Sequence, residues 1–270
     1  MARPERRESH TSRAPHAPFS PPGPAPRLRP LGGAAEPGPA EAAGRAAIRV
    51  SVAWADARGE AASREVMVPA ESGIDRLIGL IGRGAPIETA SGLVAVEDLR
   101  PGMLVRTLDD GLQPLRWVAS CRLAAEAGPD PAALRIRADA LGELRPMQDL
   151  MVGPRFRFLL RGEAPRLLFG SEEVLAPVAA LAADEAIVPL ASAPDLAFHA
   201  LMFDRHQIVF AAGVPTESFH PGNYTIATME PEARQALAAL VPHLDGDLTA
   251  FGPLARPQLR GFEAAALFAM

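Results

Sequence analysis

The sequence predicts a mainly β protein, and three features of its pattern support that fold class. Apolar residues alternate with polar or small ones over residues 48–54, which is the period of a half-buried strand. From residue 84 onward, short apolar runs are separated at close spacing by turn sequences such as Pro101-Gly102 and Asp110-Gly111. The chain has 270 residues and is 48% hydrophobic, so it can bury a substantial core.

The first 46 residues differ from the rest in composition and charge. They hold 10 of the 28 prolines and seven Arg against four Glu, a net charge of +3. Such a Pro/Ala/Arg-rich segment cannot bury enough apolar surface to offset its ordering entropy, so we expect residues 1–46 to be a disordered tail. The remainder carries 20 Arg and 28 acidic residues, a net charge of −8, which argues against nucleic acid as the partner.

Cysteine content and hydropathy exclude several classes of protein. Cys121 is the only cysteine, which excludes an internal disulfide framework and a Cys-based zinc cluster. No uncharged apolar run approaches the ~18–20 residues that span a bilayer, so no membrane span is predicted. Pro and polar residues follow the first arginines, so we expect no N-terminal export signal and a cytoplasmic location. Secretion by another route and an unidentified protein partner stay open.

Residues 47–83 are predicted to form a hairpin followed by a short helix. The alternating strand that begins near Ala47 is followed by a turn at Asp56–Gly59 and a returning strand over Glu65–Val68. Ser72 can cap a helix whose apolar face continues to Ile81 and which Gly82 and Gly84 end.

Residues 84–222 are predicted to form the main β domain. The expected strands are Ile87–Thr89, Val94–Val96, Leu104–Thr107, Gln113–Val118, Leu134–Arg137, Phe156–Leu160, Ala186–Pro189 and His199–Ala212. The expected turns are Ser91-Gly92, Arg100-Pro101-Gly102 and Asp109-Asp110-Gly111.

Residues 223–270 are predicted to be a helical extension. One helix is expected over Glu230–Val241, with Pro231 in its first turn and an apolar stripe that includes Leu237 and Leu240. A second helix is expected within Arg256–Met270.

Four blocks of the main domain resemble the Hedgehog/intein (Hint) domain family, particularly its bacterial, alphaproteobacterial members. The blocks are Gly84–Gly102, Val105–Trp117, Asp149–Arg157 and His199–Gly222, which span about half of the chain. The residues that carry the motif are Gly84, Thr89, Gly92, Glu97, Gly102, Asp109, Gly111, Trp117, Pro154, Glu217, Ser218 and Gly222. The resemblance implies a horseshoe-shaped β domain with pseudo-twofold symmetry.

The resemblance also implies a chemistry that this chain departs from. In active members, a Cys or Ser at the first residue attacks the preceding carbonyl, and a His in the second block protonates the departing nitrogen. These positions correspond here to Leu80 and Phe156, which can neither attack nor donate a proton. Glu217-Ser218 stands where inteins have His-Asn, and the only Asn is Asn223. The sequence therefore predicts a degenerate domain that serves as a structural or interaction module. The alternative is a self-cleaving domain that uses other residues.

Asp204 and His206 are the remaining candidate catalytic residues. On one unbroken strand over His199–Ala212 they would share a face, and such a pair could orient a base. The alternative is a buried polar pair that fixes register. A metal site that adds His199 and His220 is disfavoured, because ligands on opposite faces do not converge. No dinucleotide- or phosphate-binding loop motif is present, so no cofactor and no metal are predicted.

Overall fold

The computed structural model describes residues 29–30, 46–56, 58–123, 131–181, 185–191 and 196–269. Within these ranges the protein is mainly β, which confirms the predicted fold class. The predicted disordered tail lies outside the described residues, except for Ala46 and a two-residue strand at Arg29–Pro30.

The strands are two to nine residues long and are connected mostly by tight turns. In chain order they are β1 (Arg29–Pro30), β2 (Ala47–Ala55), β3 (Ala61–Pro69), β4 (Ile81–Gly82), β5 (Pro86–Thr89), β6 (Gly92–Ala95), β7 (Leu104–Thr107), β8 (Gly111–Pro114), β9 (Trp117–Arg122), β10 (Ala133–Ile136), β11 (Leu150–Val152), β12 (Arg157–Arg161), β13 (Glu173–Pro177), β14 (Ile187–Leu190), β15 (Ala197–Met202), β16 (Ile208–Ala211) and β17 (Val214–Glu217). Most predicted strands agree with these bounds to within two residues. Strands β1, β4, β11, β13 and β17 were not predicted.

The helices are short and lie at the edges of the β structure. The α-helices are α1 (Ile74–Ile78), α2 (Glu163–Phe169), α3 (Asn223–Thr228), α4 (Pro231–Leu240) and α5 (Gly261–Phe268). Single 3-10 turns occupy Ala70–Ser72, Val96–Asp98, Val178–Leu181, Pro242–Leu244 and Leu248–Phe251. Helix α4 confirms the predicted C-terminal helix, with Pro231 as its first residue and Leu237 and Leu240 buried. In the part of the chain that the structure describes, none of these helices is long and apolar enough to cross a membrane.

Two sheets share the strands. The first has the order β1-β3-β2-β9-β15-β4-β11-β10-β14, and the second has the order β13-β12-β17-β16-β5-β7-β8 with β6 paired to β5. Every pairing is antiparallel except that of β1 with β3. The larger of two apolar clusters among the described residues packs against both sheets and includes the N-terminal hairpin residues Val50 and Val52.

The N-terminal hairpin is part of the first sheet. Strands β2 and β3 pair over nine positions, and β2 also pairs with β9 from Val50↔Cys121 to Trp54↔Trp117. The prediction that the helix after the hairpin continues to Ile81 was wrong. Helix α1 begins after Gly73 and ends at Ile78, and Ile81 lies in β4 instead. The apolar residues after Ile78 fit a buried strand equally well, because a short apolar run does not distinguish the two elements.

The predicted strand over Gln113–Val118 is two strands in different sheets. Strand β8 ends at Pro114 and β9 begins at Trp117. Between them, the Leu115 amide donates to Met103 O, next to β7 of the second sheet, and the Arg116 amide donates to Met202 O in β15 of the first sheet. Leu115 and Trp117 are both buried. The alternation therefore predicted their burial correctly and could not reveal the change of hydrogen-bonding partner.

The predicted strand over His199–Ala212 is also divided between the sheets. Strand β15 ends at Met202 in the first sheet, and β16 begins at Ile208 in the second. Residues 203–207 cross between them, so the expectation that Asp204 and His206 share one strand face was wrong. The crossing segment resembled a strand because residues on both sides of it are buried in the same core.

Candidate functional site

The junction at Leu80 lies where α1 ends and β4 begins. The amide of Gly79 donates to Asp75 O at 2.6 Å, and the amide of Leu80 donates to Ile78 O at 3.0 Å. Leu80 is 6% exposed and belongs to the apolar core. A packed aliphatic side chain therefore occupies the position that is predicted to correspond to the family nucleophile.

The second block of the motif lies directly against this junction. Pairing of Val152 with Ile81 brings Gly153 to Leu80, and the Gly153 amide donates to Leu80 O at 2.9 Å. A Cβ added to Gly153 would lie 1.7 Å from Gly79 O. Only glycine permits this approach, so the two blocks meet through their backbones at the Gly79–Leu80 peptide bond.

Phe156 completes this arrangement with an apolar ring. It is 1% exposed, and its amide and carbonyl bond Gly153 O and the Val178 amide at 3.1 and 3.0 Å. Pro154 lies in the turn between Gly153 and Phe156. The position that is predicted to correspond to the family's proton donor is thus occupied by a buried side chain without an exchangeable proton.

His199 is a residue beside the junction whose position sequence reasoning missed. In β15 it lies opposite Ile81 of β4 on one side and Ser120 of β9 on the other. Burial lowers the pKa of His199, against the raising effects of Glu97 and of a hydrogen bond with the Ile81 backbone. Its Nδ1 is buried and bonds none of the described groups. The sequence carried no signal for this position, because the neighbours of His199 come from two distant strands.

Cys121 also lies closer to the junction than its sequence position indicates. Its Sγ donates to Asp75 O at 3.6 Å, and this carbonyl also accepts the Gly79 amide. Burial raises the pKa of Cys121, and the charge of Asp75 raises it further. The thiol therefore stays protonated at neutral pH and is a weak nucleophile.

Asp204 and His206, the two predicted catalytic residues, do not pair with each other. Asp204 is 64% exposed and forms a bidentate ion pair with Arg116, whose Nε and Nη2 lie 2.8 and 2.9 Å from its two oxygens. His206 is fully buried and bonds different groups. The residues diverge because they lie on a crossing segment that lacks the period of a strand.

His206 belongs to a buried polar cluster with Glu217. His206 Nε2 lies 3.4 Å from Glu217 Oε2 and 3.1 Å from Ser218 O, and its Nδ1 accepts the Ala255 amide at 3.0 Å. Because that amide occupies the Nδ1 lone pair, the proton of the neutral ring is assigned to Nε2. His206 therefore has no free lone pair to act as a base.

Glu217 is held as a carboxylate inside the protein. Its Oε1 accepts from Arg157 Nη1 at 2.9 Å, and its Oε2 accepts from Gln258 Nε2 at 2.7 Å. Burial acts to raise the pKa of Glu217, but hydrogen bonding to His206 and the charge of Arg157 outweigh it, so the pKa lies below its usual value. The alternative interpretation, a buried polar pair of Asp204 and His206, is therefore also not formed, because His206 lies in a buried network with Glu217 whereas Asp204 pairs with Arg116.

His220 and Ser218 extend the cluster. His220 Nδ1 accepts the Gly222 amide at 2.9 Å and its Nε2 lies 3.0 Å from Gly252 O, while its ring is 5.1 Å from that of His206. Burial lowers the pKa of His220. Ser218 is buried and its Oγ accepts the Gln207 amide at 2.9 Å, so it is engaged within the protein.

The other motif residues build turns and core contacts around the site. Three contacts fix turns: Glu97 accepts the Gly84 amide at 2.8 Å, Thr89 Oγ1 donates to Gly92 O at 2.7 Å, and Thr107 Oγ1 donates to Gly111 O. Three others join more distant residues: the Gly102 amide donates to Leu115 O, Asp109 pairs with Arg256, and Trp117 Nε1 donates to Leu240 O at 2.7 Å. Trp117 also stacks on Phe219 with ring centroids 5.1 Å apart. Each of these contacts holds a turn or joins two elements of the fold.

No metal-binding group is found in the described ranges. Among those residues, no set of three or more His, Cys, Asp and Glu side chains could hold an ion. The set His199, Asp204, His206 and His220, which the sequence analysis disfavoured, is therefore not a centre of this kind.

A family model described as "Hint domain" matches residues 81–223, slightly more than half of the 270-residue chain. No curated protein and no solved structure gave a match.

Proposed function

The chain belongs to the Hint domain family, and from this premise we propose that it has lost self-cleavage and acts as a structural or interaction module. The main observation for this proposal is that Leu80 and Phe156 are both buried in the apolar core. These are the positions predicted to correspond to the nucleophile and the proton donor of the family. The acyl shift needs a lone pair beside the preceding carbonyl, which leucine lacks. Loss of the nucleophile removes the covalent route itself.

The setting of the N-terminal segment supports the same proposal. Self-cleavage releases a flanking segment, but here the segment before the junction supplies β2 and β3 to the first sheet. Strand β2 pairs with β9 over five positions. A cut after Gly79 would leave the hairpin bound through these strands, so release is not the expected outcome of this architecture.

The setting of the C-terminal position supports it as well. Glu217 and Ser218 are buried, and residues from the C-terminal extension bond the same cluster through the Ala255 amide and Gln258 Nε2. The extension is therefore packed as part of the protein. This is the arrangement expected of a module that stays intact.

Intact mass after expression and purification tests the proposal. We expect one species of 28.5 kDa, unchanged after incubation with thiol or hydroxylamine, which cleave (thio)esters. Fragments that end near residues 79–83 or 218–222 would contradict it.

The second candidate function is self-cleavage with an unusual nucleophile. By position Cys121 would serve it, although burial keeps its thiol protonated and weakly nucleophilic. The Cys121 thiol and the Gly79 amide bond the same Asp75 carbonyl, so the sulfur lies near the junction. The Cys121→Ser variant discriminates the two. The module predicts no cleavage with either residue, whereas thiol-dependent cleavage that is lost in the variant would support the second candidate.

A further inference from the structure

A cavity of about 590 Å³ lies apart from the junction, between the β2–β3 turn, the crossing segment 203–207 and the 3-10 turns of the C-terminal extension. This volume is within the range of pockets that hold small molecules. The family chemistry described above does not use it.

The cavity has an aromatic wall. Trp54 at the end of β2, Phe203 in the crossing segment and Phe251 in the last 3-10 turn all line it. Each ring is packed in the core and therefore held in place. Rigid aromatic walls favour a ligand with an apolar body.

Carboxylates surround this wall and outnumber the cations. Asp56, Asp204 and Asp245 line the cavity, and the only lysine or arginine in the lining is Arg116, which Asp204 neutralises through the bidentate pair. Asp245 forms no side-chain hydrogen bond or ion pair within the described part of the chain. Asp56 uses one oxygen to cap the turn, accepting the Arg58 and Glu60 amides at 2.8 Å.

Nearby basic groups do not cancel this charge inside the cavity. Arg58 lies in the adjacent turn and Arg64 stacks on Trp54 at 5.7 Å, but neither lines the cavity. Burial lowers the pKa of His243, a lining residue, to about 4, against the raising effects of Asp204 and Asp245, so it is neutral at pH 7. Both ring nitrogens of His243 are buried and bond no described group. Two carboxylates, Asp56 and Asp245, thus remain uncompensated.

We propose that this cavity binds a small organic cation, a primary amine or guanidine that carries an aromatic or short alkyl group. The apolar body would pack on the aromatic wall, and the cation would face Asp245 and Asp56. Opposite charges in a partly enclosed site attract more strongly than in bulk water, and an aromatic face adds a cation–π contribution.

Three probes of similar size separate charge from shape: 2-phenylethylammonium, 2-phenylethanol and 3-phenylpropanoate. Binding is measured by titration into the ¹⁵N-labelled full chain at pH 7, following the indole N–H signals of the two tryptophans, which Trp54→Phe assigns. We expect saturable shifts at Trp54, with the cation binding about tenfold more tightly than the alcohol. The anion should bind weakest, and 1 M salt should reduce the preference for the cation.

Asp245→Asn tests the charge with little risk to folding. Asp245 has φ 49°, in a region that Asn tolerates, and the residue is exposed. We expect the cation to lose about three- to tenfold in affinity and the alcohol to be unaffected. Asp139→Asn is the matched control, because Asp139 has φ 62° and lies outside the cavity.

The proposal is overturned by any of three results. The first is equal binding of the three probes, or tightest binding of the anion. The second is the absence of any shift of the Trp54 signal with all three probes up to about 10 mM, a weak limit for ligands of this size. The third is unchanged affinity for the cation in an Asp245→Asn variant whose spectrum shows the native fold.

Discussion

At the scale of single residues, the best-defined chemical group is the Glu217 carboxylate. It is buried beside His206, Arg157 and Gln258, and its pKa lies below the ordinary value. A carboxyl with a lowered folded-state pKa contributes stability that is present above its unfolded pKa of about 4.3 and is lost as the pH falls through the folded value. Protonation of Glu217 should therefore contribute to the unfolding of the protein in acid.

Glu217→Gln should destabilise the protein at pH 7 by about 2 kcal/mol, because it leaves the half-buried Arg157 without its counter-charge and removes a charge-assisted hydrogen bond. Urea unfolding at pH 7 and pH 4 measures this, and the difference between variant and wild type should shrink at pH 4. Glu65→Gln is the control, since Glu65 forms an exposed pair with Arg49 and should change stability by less than about 1 kcal/mol. Equal effects of the two substitutions would argue against a buried ionised Glu217.

Substitutions at Leu80 and Phe156 test the proposal that these two positions have lost the catalytic groups of the family. Leu80→Cys alone should give little thiol-induced cleavage after Gly79, because Phe156 supplies no proton. Leu80→Cys with Phe156→His should give more, by up to the ~10²–10⁴-fold that general acid catalysis contributes. Cleavage is quantified by mass spectrometry, with Leu80→Ala/Phe156→His as the inactive control. If the double variant folds and its rate of thiol-induced cleavage does not exceed that of Leu80→Cys, further residues around Phe156 also prevent the reaction.

At the scale of elements, the contact between β4 and β11 depends on close backbone approach. Gly153 lies against the Gly79 carbonyl, and a side chain there would meet it at 1.7 Å. The neighbouring peptide is fixed by hydrogen bonds and by the end of α1, so it cannot shift without breaking them.

Gly153→Ala should therefore destabilise the protein by about 1–3 kcal/mol or more, the range for forced overpacking. Gly261→Ala is the matched control, since an added Cβ at the first residue of α5 meets nothing within 4 Å. Thermal unfolding of both variants measures the effect. A Gly153→Ala protein as stable as the control would contradict the close approach.

At the scale of the whole molecule, the N-terminal hairpin and the family domain share one sheet and one core. The predicted domain boundaries, 1–46, 47–83, 84–222 and 223–270, stay predictions as folding units. Pairing of β2 with β9 indicates that residues 47–83 and the remainder depend on each other for a complete sheet.

Two separate chains, 46–79 and 80–270, should therefore associate when co-expressed, with a tag on one recovering the other. Val52→Asp in the shorter chain should abolish recovery, because Val52 is buried in the shared core. Ser51→Asp is the control on the same strand, since Ser51 is only half-buried and lies outside that core. A folded, monodisperse 80–270 chain that does not bind the hairpin would overturn this mutual dependence.

The sequence alone was sufficient for features that depend on local pattern or residue type. Period-two alternation and turn residues gave the β class, and Pro231 with its apolar stripe gave α4, because each depends on neighbours in the chain. That Leu80 has no nucleophilic atom and Phe156 no exchangeable side-chain proton is a matter of residue identity, which folding does not change.

Only the tertiary structure decided which residues are partners. Alternation reports which side chains are buried, and it continues through both sheet crossings. It therefore predicts a pair of Asp204 and His206, whereas Asp204 binds Arg116 in the fold. His206 and Glu217, like Gly153 and Gly79, meet because separate strands pair. Contacts between groups far apart in the chain depend on sheet order and register, and no local pattern in one sequence encodes that order.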